Sequence, residues 1–202
     1  MDNSLKWQAQ VTSVCKKVTG SLRALYRAKN LLPPATKAML VQALVLPIID
    51  YADVCYYDLN ADLLNKLDRL LNNCIRFVFN LRKYDHVSAH RMQLKWLPIR
   101  QRREQRALTT LFSFLCSPSL PTYLSPYFQY LCANHSKNLR SSHNRFLQCP
   151  THRTDFFHSS FFVQSILLWN ALPLDVRMVS TRLSFKQKVR ELLLERVAES
   201  SR

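Results

Sequence analysis

The sequence predicts an all-α protein, a helical bundle of about six or seven helices with a long irregular polar loop. Glycine is nearly absent, with one residue, Gly20, in a chain of 202, whereas sheet-and-turn proteins need glycine at tight turns. Apolar residues recur at steps of three and four along several segments, which is the period of an amphipathic helix. Hydrophobic residues make up 48% of the chain, enough for a sizeable core.

The N-terminal half contains the clearest helical patterns. Residues 3–30 predict an amphipathic helix that Asn3 or Ser4 can cap. Residues 36–46 predict a short second helix that Pro47 ends, and residues 48–57 show no clear pattern. A wide apolar face predicts a long helix over 62–81. The core stripe of the first helix consists of Trp7, Val11, Val14, Val18, Leu22 and Leu25.

Four further helices are predicted towards the C-terminus. Asp85 can cap a helix over 86–97, and Pro98 opens the next, which reaches about Cys116. An aromatic helix covers 156–169, and a basic helix covers 184–198. Residues 132–154 have no period and predict an extended polar loop.

These elements predict three parts of the chain. A helical domain covers 1–131, the polar loop covers 132–154, and a C-terminal helical segment over 155–202 packs on the first part. The large apolar side chains of Trp7, Trp96 and Trp169 are expected to anchor the packing.

The chain is strongly basic throughout. Its formal net charge is +16 and its pI about 10.0, and the excess is shared evenly between the two halves. A folded core with positive charge along its whole length favours a polyanion partner, RNA or DNA first. Solubility charge alone is the alternative.

The densest positive charge follows an apolar anchor. Trp96 and Leu97 precede Pro98, and four arginines then follow at helical spacing. A solvated helix face would have the same pattern, but the whole-chain charge favours neutralisation of phosphates. The candidate nucleic-acid-binding residues are Lys16, Lys17, Arg23, Arg27, Arg91, Lys95, Arg100, Arg102, Arg103 and Arg106.

Cysteine usage and hydropathy indicate an intracellular protein, in nucleus or cytoplasm. The six cysteines are widely separated and several fall in apolar helical patterns, as free thiols do. The start of the chain lacks the basic and apolar regions of a signal peptide. The longest apolar stretch, 43–49, is too short to span a bilayer, so no membrane role is predicted.

Two patterns in the sequence could bind metal. Cys132 and His135, with Cys149 and His152, form two Cys-x-x-His pairs of the kind that hold zinc, although a polar His-rich loop produces such pairs by chance. We therefore expect no metal and no cofactor. His86 and His90 lie four residues apart and are expected to add to a polar helix face.

One tetrapeptide invites comparison with a polymerase motif. Polymerases that copy RNA have Tyr/Phe-x-Asp-Asp on a hairpin, because paired carboxylates bind two divalent metals. In Tyr51-Ala52-Asp53-Val54 the last position cannot bind metal, so a structural role is favoured. No nucleophile paired with a base is evident from spacing, and no catalytic residue is predicted.

The order of several short motifs resembles one family. The matching stretches are Asp2-x-x-Leu5-x-Trp7, Val14-Cys15-Lys16-Lys17-Val18, Leu22-Arg23-Ala24-Leu25, Leu31-Leu32-Pro33, Leu44-Val45-Leu46-Pro47-x-x-Asp50-Tyr51, Leu67-Asp68-Arg69-Leu70, Trp96-Leu97-Pro98-Ile99-x-x-Arg102-Arg103, Asn138-Leu139-Arg140-Ser141-Ser142, Leu168-Trp169-Asn170-Ala171-Leu172-Pro173 and Ser184-Phe185-Lys186. Together they resemble the C-terminal part of reverse transcriptases of non-LTR retrotransposons, LINE-type and jockey-like.

The resemblance implies the thumb and the helical segment after it, which hold the template–primer duplex behind the active site. It places Tyr51, Ala52 and Asp53 in this helical region, not in the polymerase motif. The endonuclease, fingers and palm have no counterpart in this chain, so a fragment of an RNA-directed DNA polymerase without activity of its own is expected. A palm-containing segment of the polymerase is then a possible partner.

Two other readings stay open. The helix faces that a missing palm would leave uncovered could make the chain a protein-interaction module. The sequence is also compatible with a decayed retroelement reading frame that has no selected function.

Overall fold

The computed structural model describes residues 7–116, 123–131 and 144–200, and these confirm the all-α class. Within those ranges there are seven helical stretches of six or more residues and no strand of a sheet. The α-helices are α1 (Gln8–Tyr26), α2 (Pro34–Leu40), α3 (Leu46–Asp50), α4 (Ala61–Phe79), α5 (Ser88–Gln93), α6 (Ile99–Cys116), α7 (Asp155–His158), α8 (Phe161–Asn170), α9 (Leu174–Arg177) and α10 (Arg182–Ser200).

The chain divides into two compact units, residues 1–100 and residues 101–202, which we call unit 1 and unit 2. We predicted boundaries at residues 131 and 154, whereas the compact units divide at residue 100. The difference arises because α6 shares a core with the C-terminal helices. Phe112 of α6 stacks on Phe185 with ring centroids 4.4 Å apart and lies 6.4 Å from the ring of Trp169.

Unit 1 is built on α1 and α4, which lie side by side and run in the same direction. Trp7, just before α1, donates from Nε1 to Asp58 Oδ1 at 2.7 Å, 51 residues further along the chain. The ring of Tyr26, at the end of α1, lies 5.1 Å from that of Phe77, near the end of α4. The starts of the two helices therefore lie together and so do their ends, which defines a parallel pair.

The apolar stripes predicted for these helices form the core of unit 1. In α1, Val11, Val14, Val18 and Leu22 are buried, and Trp7 and Leu25 are partly buried against them. In α4 the buried side chains are Leu63, Leu67, Leu71, Cys74, Ile75, Phe77 and Val78. Trp96 is buried, as predicted, whereas Trp7 is only half-buried.

Pro47 does not end the second helical stretch, which corrects our prediction. The backbone widens into a π-helical turn over Val41–Val45, in which Leu46 N–H donates to the carbonyl of Val41. An α-helical turn would bring the proline ring against the carbonyl four residues earlier, and a π-turn relieves this crowding. The helix therefore continues through Leu46–Asp50, with Pro47 in its first turn.

Asp85 also differs from prediction, because it does not cap α5. Its Oδ2 accepts a hydrogen bond from the backbone N–H of Arg82 at 2.7 Å, and α5 begins three residues later, at Ser88. The carboxylate closes the loop after α4 instead of starting the next helix. An Asp side chain can bond either a nearby loop N–H or an N–H at the start of a helix, and here it bonds the loop.

Two helices of unit 1 end on a residue in the left-handed region. Asn80 after α4 has φ 57° and Lys95 after α5 has φ 52°. Beyond each of them the chain turns back, so that Trp96 N–H donates to the carbonyl of Arg91 at 3.1 Å and Leu81 N–H donates to that of Arg76 at 3.0 Å. This arrangement is the Schellman motif, which usually employs glycine at the left-handed position.

Unit 2 packs α6, α8 and α10 around an aromatic core. Trp169 and Phe185 are buried, with ring centroids 5.6 Å apart. The predicted aromatic helix over 156–169 is interrupted at Ser159 and Ser160, which separates α7 from α8. The predicted apolar face of α10 is confirmed for Phe185, Val189 and Leu193, all buried.

The predicted polar loop is described only from Asn144 onwards, and residues 132–143 lie outside the described part of the chain. Beyond that point, α8 fixes the loop. Asn170 accepts from Leu147 N–H and donates to its carbonyl, both at 2.9 Å. Trp169 Nε1 donates to the carbonyl of Arg145 at 2.8 Å. The Trp-Asn pair of the sequence motif therefore holds an irregular segment against α8.

Candidate nucleic-acid interface

Three of the predicted cations lie on α1 and a fourth, Arg27, directly follows it with helical backbone angles; all four are exposed. Lys16, Arg23 and Arg27 follow one another at steps of seven and four residues, which places them within about 40° of one another around the helix axis. The buried side, including Val14 and Val18, faces the opposite direction. We call Lys16, Arg23 and Arg27 the α1 row, and Lys17 lies about a quarter turn away from it.

The exposed side of α4 adds two cations that the sequence prediction did not include. Lys66 and Arg69 are exposed on this helix. Lys66 is close enough to Cys15 for its charge to lower the pKa of that thiol, although burial, the larger effect, raises it overall. Cys15 is a residue of α1, so Lys66 lies close to α1. The sequence shows that α4 has a polar face, but it does not show which helix lies beside that face.

The acidic side chains of unit 1 are largely committed to its own structure. Residues 7–100 contain fourteen Lys or Arg and six Asp. Asp58 accepts from the Trp7 indole at 2.7 Å and Asp85 from a backbone N–H at 2.7 Å. Asp53 is 2% exposed. Neutral N–H donors leave these carboxylates charged, so the formal excess over residues 7–100 is fourteen minus six, or eight positive charges.

The predicted apolar anchor, Trp96 and Leu97, is confirmed as buried. The helix that follows it, α6, is capped at its start by a side chain of α4. Trp96 and Leu97 are each 3% exposed. Pro98 has no side-chain acceptor to cap α6, and Asp68 Oδ1 accepts instead from Ile99 N–H at 3.1 Å. Arg100, in the first turn of α6, is exposed.

Arg91 and Lys95 are placed differently from each other. The guanidinium of Arg91 is half-buried and donates to Asn72 Oδ1 on α4. Desolvation lowers the pKa of Arg91, and the charge of Asp68 partly offsets this. Lys95 is exposed at the left-handed position after α5, and it already interacts within the chain.

The three predicted arginines of unit 2 are more covered than expected. Arg103 is only 6% exposed, and Arg102 and Arg106 are half-buried. Each of the three has an interaction within the chain. On the same helix, Gln105 Nε2 donates to the carbonyl of Lys186 at 3.0 Å, so this part of α6 faces α10. Of the predicted set, the structure therefore brings together Lys16, Arg23 and Arg27 and covers Arg103; phosphate binding by any of these residues stays a prediction.

A covered lysine lies at the end of unit 1 where α1 and α4 both finish. Lys37 is 1% exposed and its Nζ donates to Asn80 Oδ1 at 2.8 Å. Desolvation lowers the pKa of Lys37, and the neighbouring positive charge of Lys29 lowers it further. The same amine lies 5.7 Å from the centre of the Phe77 ring. Positive charge is thus concentrated at this end.

Of the four residues of the zinc alternative, Cys132 and His135 lie outside the described residues. Cys149 is a half-buried free thiol and His152 is exposed, with its Nδ1 3.3 Å from the carbonyl oxygen of Pro150. Among the described residues, no three His, Cys, Asp or Glu side chains are grouped closely enough to hold a metal ion.

The other two motifs lie in connections between helices. Tyr51 and Ala52 form a turn after α3, and Asp53 begins a short 3₁₀ helix over Asp53–Tyr56, so the tetrapeptide is not on a hairpin. His86 precedes α5 and is exposed, whereas the half-buried ring of His90 lies 4.6 Å from that of Phe79. These two histidines therefore do not share a helix face.

None of the described helices combines the length and apolar composition that crossing a membrane requires. Comparison of the chain with family models, with curated proteins and with solved structures found no match in any of the three.

Proposed function

We propose that this chain is a thumb-like grip for template–primer duplex, equivalent to the C-terminal region of a non-LTR retrotransposon reverse transcriptase, and that it binds RNA or RNA–DNA duplex through phosphates. It has no catalysis of its own in this proposal. The observation that carries the proposal is the α1 row, three exposed cations on the side of α1 opposite its buried stripe, with exposed Lys66 of the parallel helix α4 close to Cys15 of α1.

Two physical points support this surface as the contact. Exposed Lys and Arg side chains on rigid helices can neutralise phosphates without reordering the backbone. Over residues 7–100, fourteen Lys or Arg outnumber six Asp, which leaves a formal excess of eight positive charges. The ordered series of motifs that resembles the retrotransposon polymerases supplies the duplex as the specific polyanion.

The test is binding of a fluorescent RNA–DNA duplex over a series of salt concentrations. Each phosphate contact contributes roughly 0.7–0.9 to the slope of log affinity against log salt. The triple variant Lys16→Gln, Arg23→Gln, Arg27→Gln is therefore expected to lower that slope by about 2 and to weaken binding at low salt by at least about tenfold.

A matched control removes the same charge from another place. Arg153, Arg182 and Lys186 are exposed in unit 2, and replacing all three by Gln also lowers the net charge by three. We expect this control to weaken binding less than about threefold, since it leaves the α1 row intact. Equal losses in the two triple variants, or absence of binding by the unaltered chain at low salt, would contradict the proposal.

A second candidate function, docking of the palm-containing part of such a polymerase, is favoured by one observation. The helical stretch from Pro34 to Asp50, and the residue after it, expose Met39 at 64%, Leu44 at 52% and Tyr51 at 75%. Large exposed apolar side chains are typical of interaction surfaces when they form a patch. Light scattering after size exclusion tests for association, and a monodisperse monomer that also fails to bind a palm segment contradicts this function.

A further inference from the structure

The loop between α4 and α5 presents an aromatic ring to solvent. Tyr84 is 85% exposed, the largest value among the large hydrophobic side chains in the described residues. The neighbouring Arg82 and Lys83 are exposed as well, and Lys83 Nζ lies 5.3 Å from the centre of the Tyr84 ring. Burial of Tyr84 therefore contributes little to the stability of unit 1, and an aromatic ring with two cations is offered outwards.

The backbone of this loop is held in place independently of Tyr84. Asp85 Oδ2 accepts from Arg82 N–H at 2.7 Å, and Asp85 N–H donates back to the carbonyl of Arg82 at 3.3 Å. Arg76 Nη2 donates to the carbonyl of Asp85 at 3.4 Å, and Val87 is buried. The one carboxylate of the loop is thus turned to the backbone, while the cationic and aromatic side chains are displayed.

The position of the loop relates it to the proposed duplex-binding surface. It follows α4 directly, at the end of unit 1 where the ring contact between Tyr26 and Phe77 shows that α1 also finishes. The α1 row ends at Arg27, one residue beyond Tyr26. A nucleic acid lying along α1 and α4 would therefore reach the loop at this end.

We propose that this loop binds an unpaired nucleotide adjoining the duplex, with its base stacked on Tyr84 and its phosphates neutralised by Arg82 and Lys83. Every base has a π-face, so stacking on an exposed aromatic side chain is tolerant of sequence, and nearby cations follow the backbone. A base inside a duplex is already stacked on its neighbours and cannot make this contact. The inference rests on the proposed function and makes it more specific, because it selects a single-stranded overhang over a blunt end.

The experiment compares a blunt RNA–DNA duplex with the same duplex extended by a four-nucleotide single-stranded overhang that contains 2-aminopurine, using the full chain. Stacking on Tyr84 is expected to quench the 2-aminopurine fluorescence. Tyr84→Ala should weaken overhang binding about tenfold and abolish the quenching, and should change blunt-duplex affinity less than about twofold. Tyr84→Phe keeps the ring and should stay within about threefold of the unaltered chain.

Tyr123→Ala is the matched control, because Tyr123 is also highly exposed, at 73%, and lies in unit 2. It should leave both affinities unchanged. The inference is overturned if Tyr84→Ala weakens neither substrate, or weakens both equally. Failure of the unaltered chain to bind the blunt duplex at low salt contradicts the proposed function instead, so the two failures are distinguishable. Binding of a protein partner that depends on Tyr84, with no overhang preference, would likewise overturn the nucleotide assignment.

Discussion

Replacement of Asp68 should destabilise unit 1 more than its position on the surface of α4 suggests. The half-buried side chain of Asp68 reaches α6, where Oδ1 accepts from Ile99 N–H at 3.1 Å. Its charge also favours the ionised form of Arg91, whose pKa is lowered by desolvation. Asp68→Ala removes both effects together.

The magnitude follows from these two interactions. Loss of a side-chain acceptor at a helix N-terminus costs about 1 kcal/mol. Loss of the charge beside Arg91 costs roughly another 1 kcal/mol, a discounted value because Arg91 is only partly buried. We therefore expect Asp68→Ala to lower the free energy of unfolding by about 2 kcal/mol. Asp68→Asn keeps an acceptor oxygen and should cost about half as much.

Urea denaturation followed by circular dichroism measures these changes, with Asn65→Ala as the control. Asn65 is exposed on the same helix, and alanine has the higher helix propensity, so the control should change stability by less than about 0.5 kcal/mol. Equal costs for Asp68→Ala and Asp68→Asn would refute the capping role. A cost no larger than that of Asn65→Ala would refute both contributions.

Three further predictions concern other parts of the molecule. Burial raises the pKa of Cys74 to about 12 from its ordinary 9.0, so this thiol should resist alkylation at about pH 8 while exposed Cys55 reacts, as mass spectrometry can show. Since the folded-state pKa of Cys74 is the higher one, its contribution to stability is complete below about pH 9 and is lost as the pH rises towards 12. Asn170→Ala leaves the N–H and carbonyl of Leu147 without their side-chain partner and should cost about 2 kcal/mol in thermal or urea unfolding. Gly20→Ala should stabilise α1 by about 1 kcal/mol in the same assay, because an added Cβ meets no atom within 4 Å.

The long helices could be predicted because their apolar residues keep one period over many turns. Val11, Val14 and Val18 define the buried side of α1 without any knowledge of its neighbours. The prediction about Pro47 was wrong because a π-turn depends on local backbone adjustment, which no periodic pattern reveals. The prediction that Asp85 caps α5 was wrong because its carboxylate accepts from the backbone N–H of Arg82 in the loop, instead of from an N–H at the start of α5.

The site could be predicted only where one face of a helix is clearly apolar. The exposure of Lys16, Arg23 and Arg27 follows from the stripe opposite them. Around Arg103 the sequence is polar on all sides, so it does not indicate which side chains a neighbouring helix covers. That Lys66 lies close to Cys15 of α1 depends on the packing of α4 against α1, a tertiary relation that composition and spacing do not contain.

The shared direction of α1 and α4 affects how many mobile counter-ions a bound polyanion could release. Peptide dipoles add along a helix, so the electronegative carboxyl ends of two parallel helices lie together at one end of unit 1. Lys29 and Lys37 are found at that end, and Lys37 is bound to Asn80. Part of the cationic charge there balances the fold's own partial charge. The salt dependence of binding should therefore report fewer released ions than a count of the basic residues in unit 1.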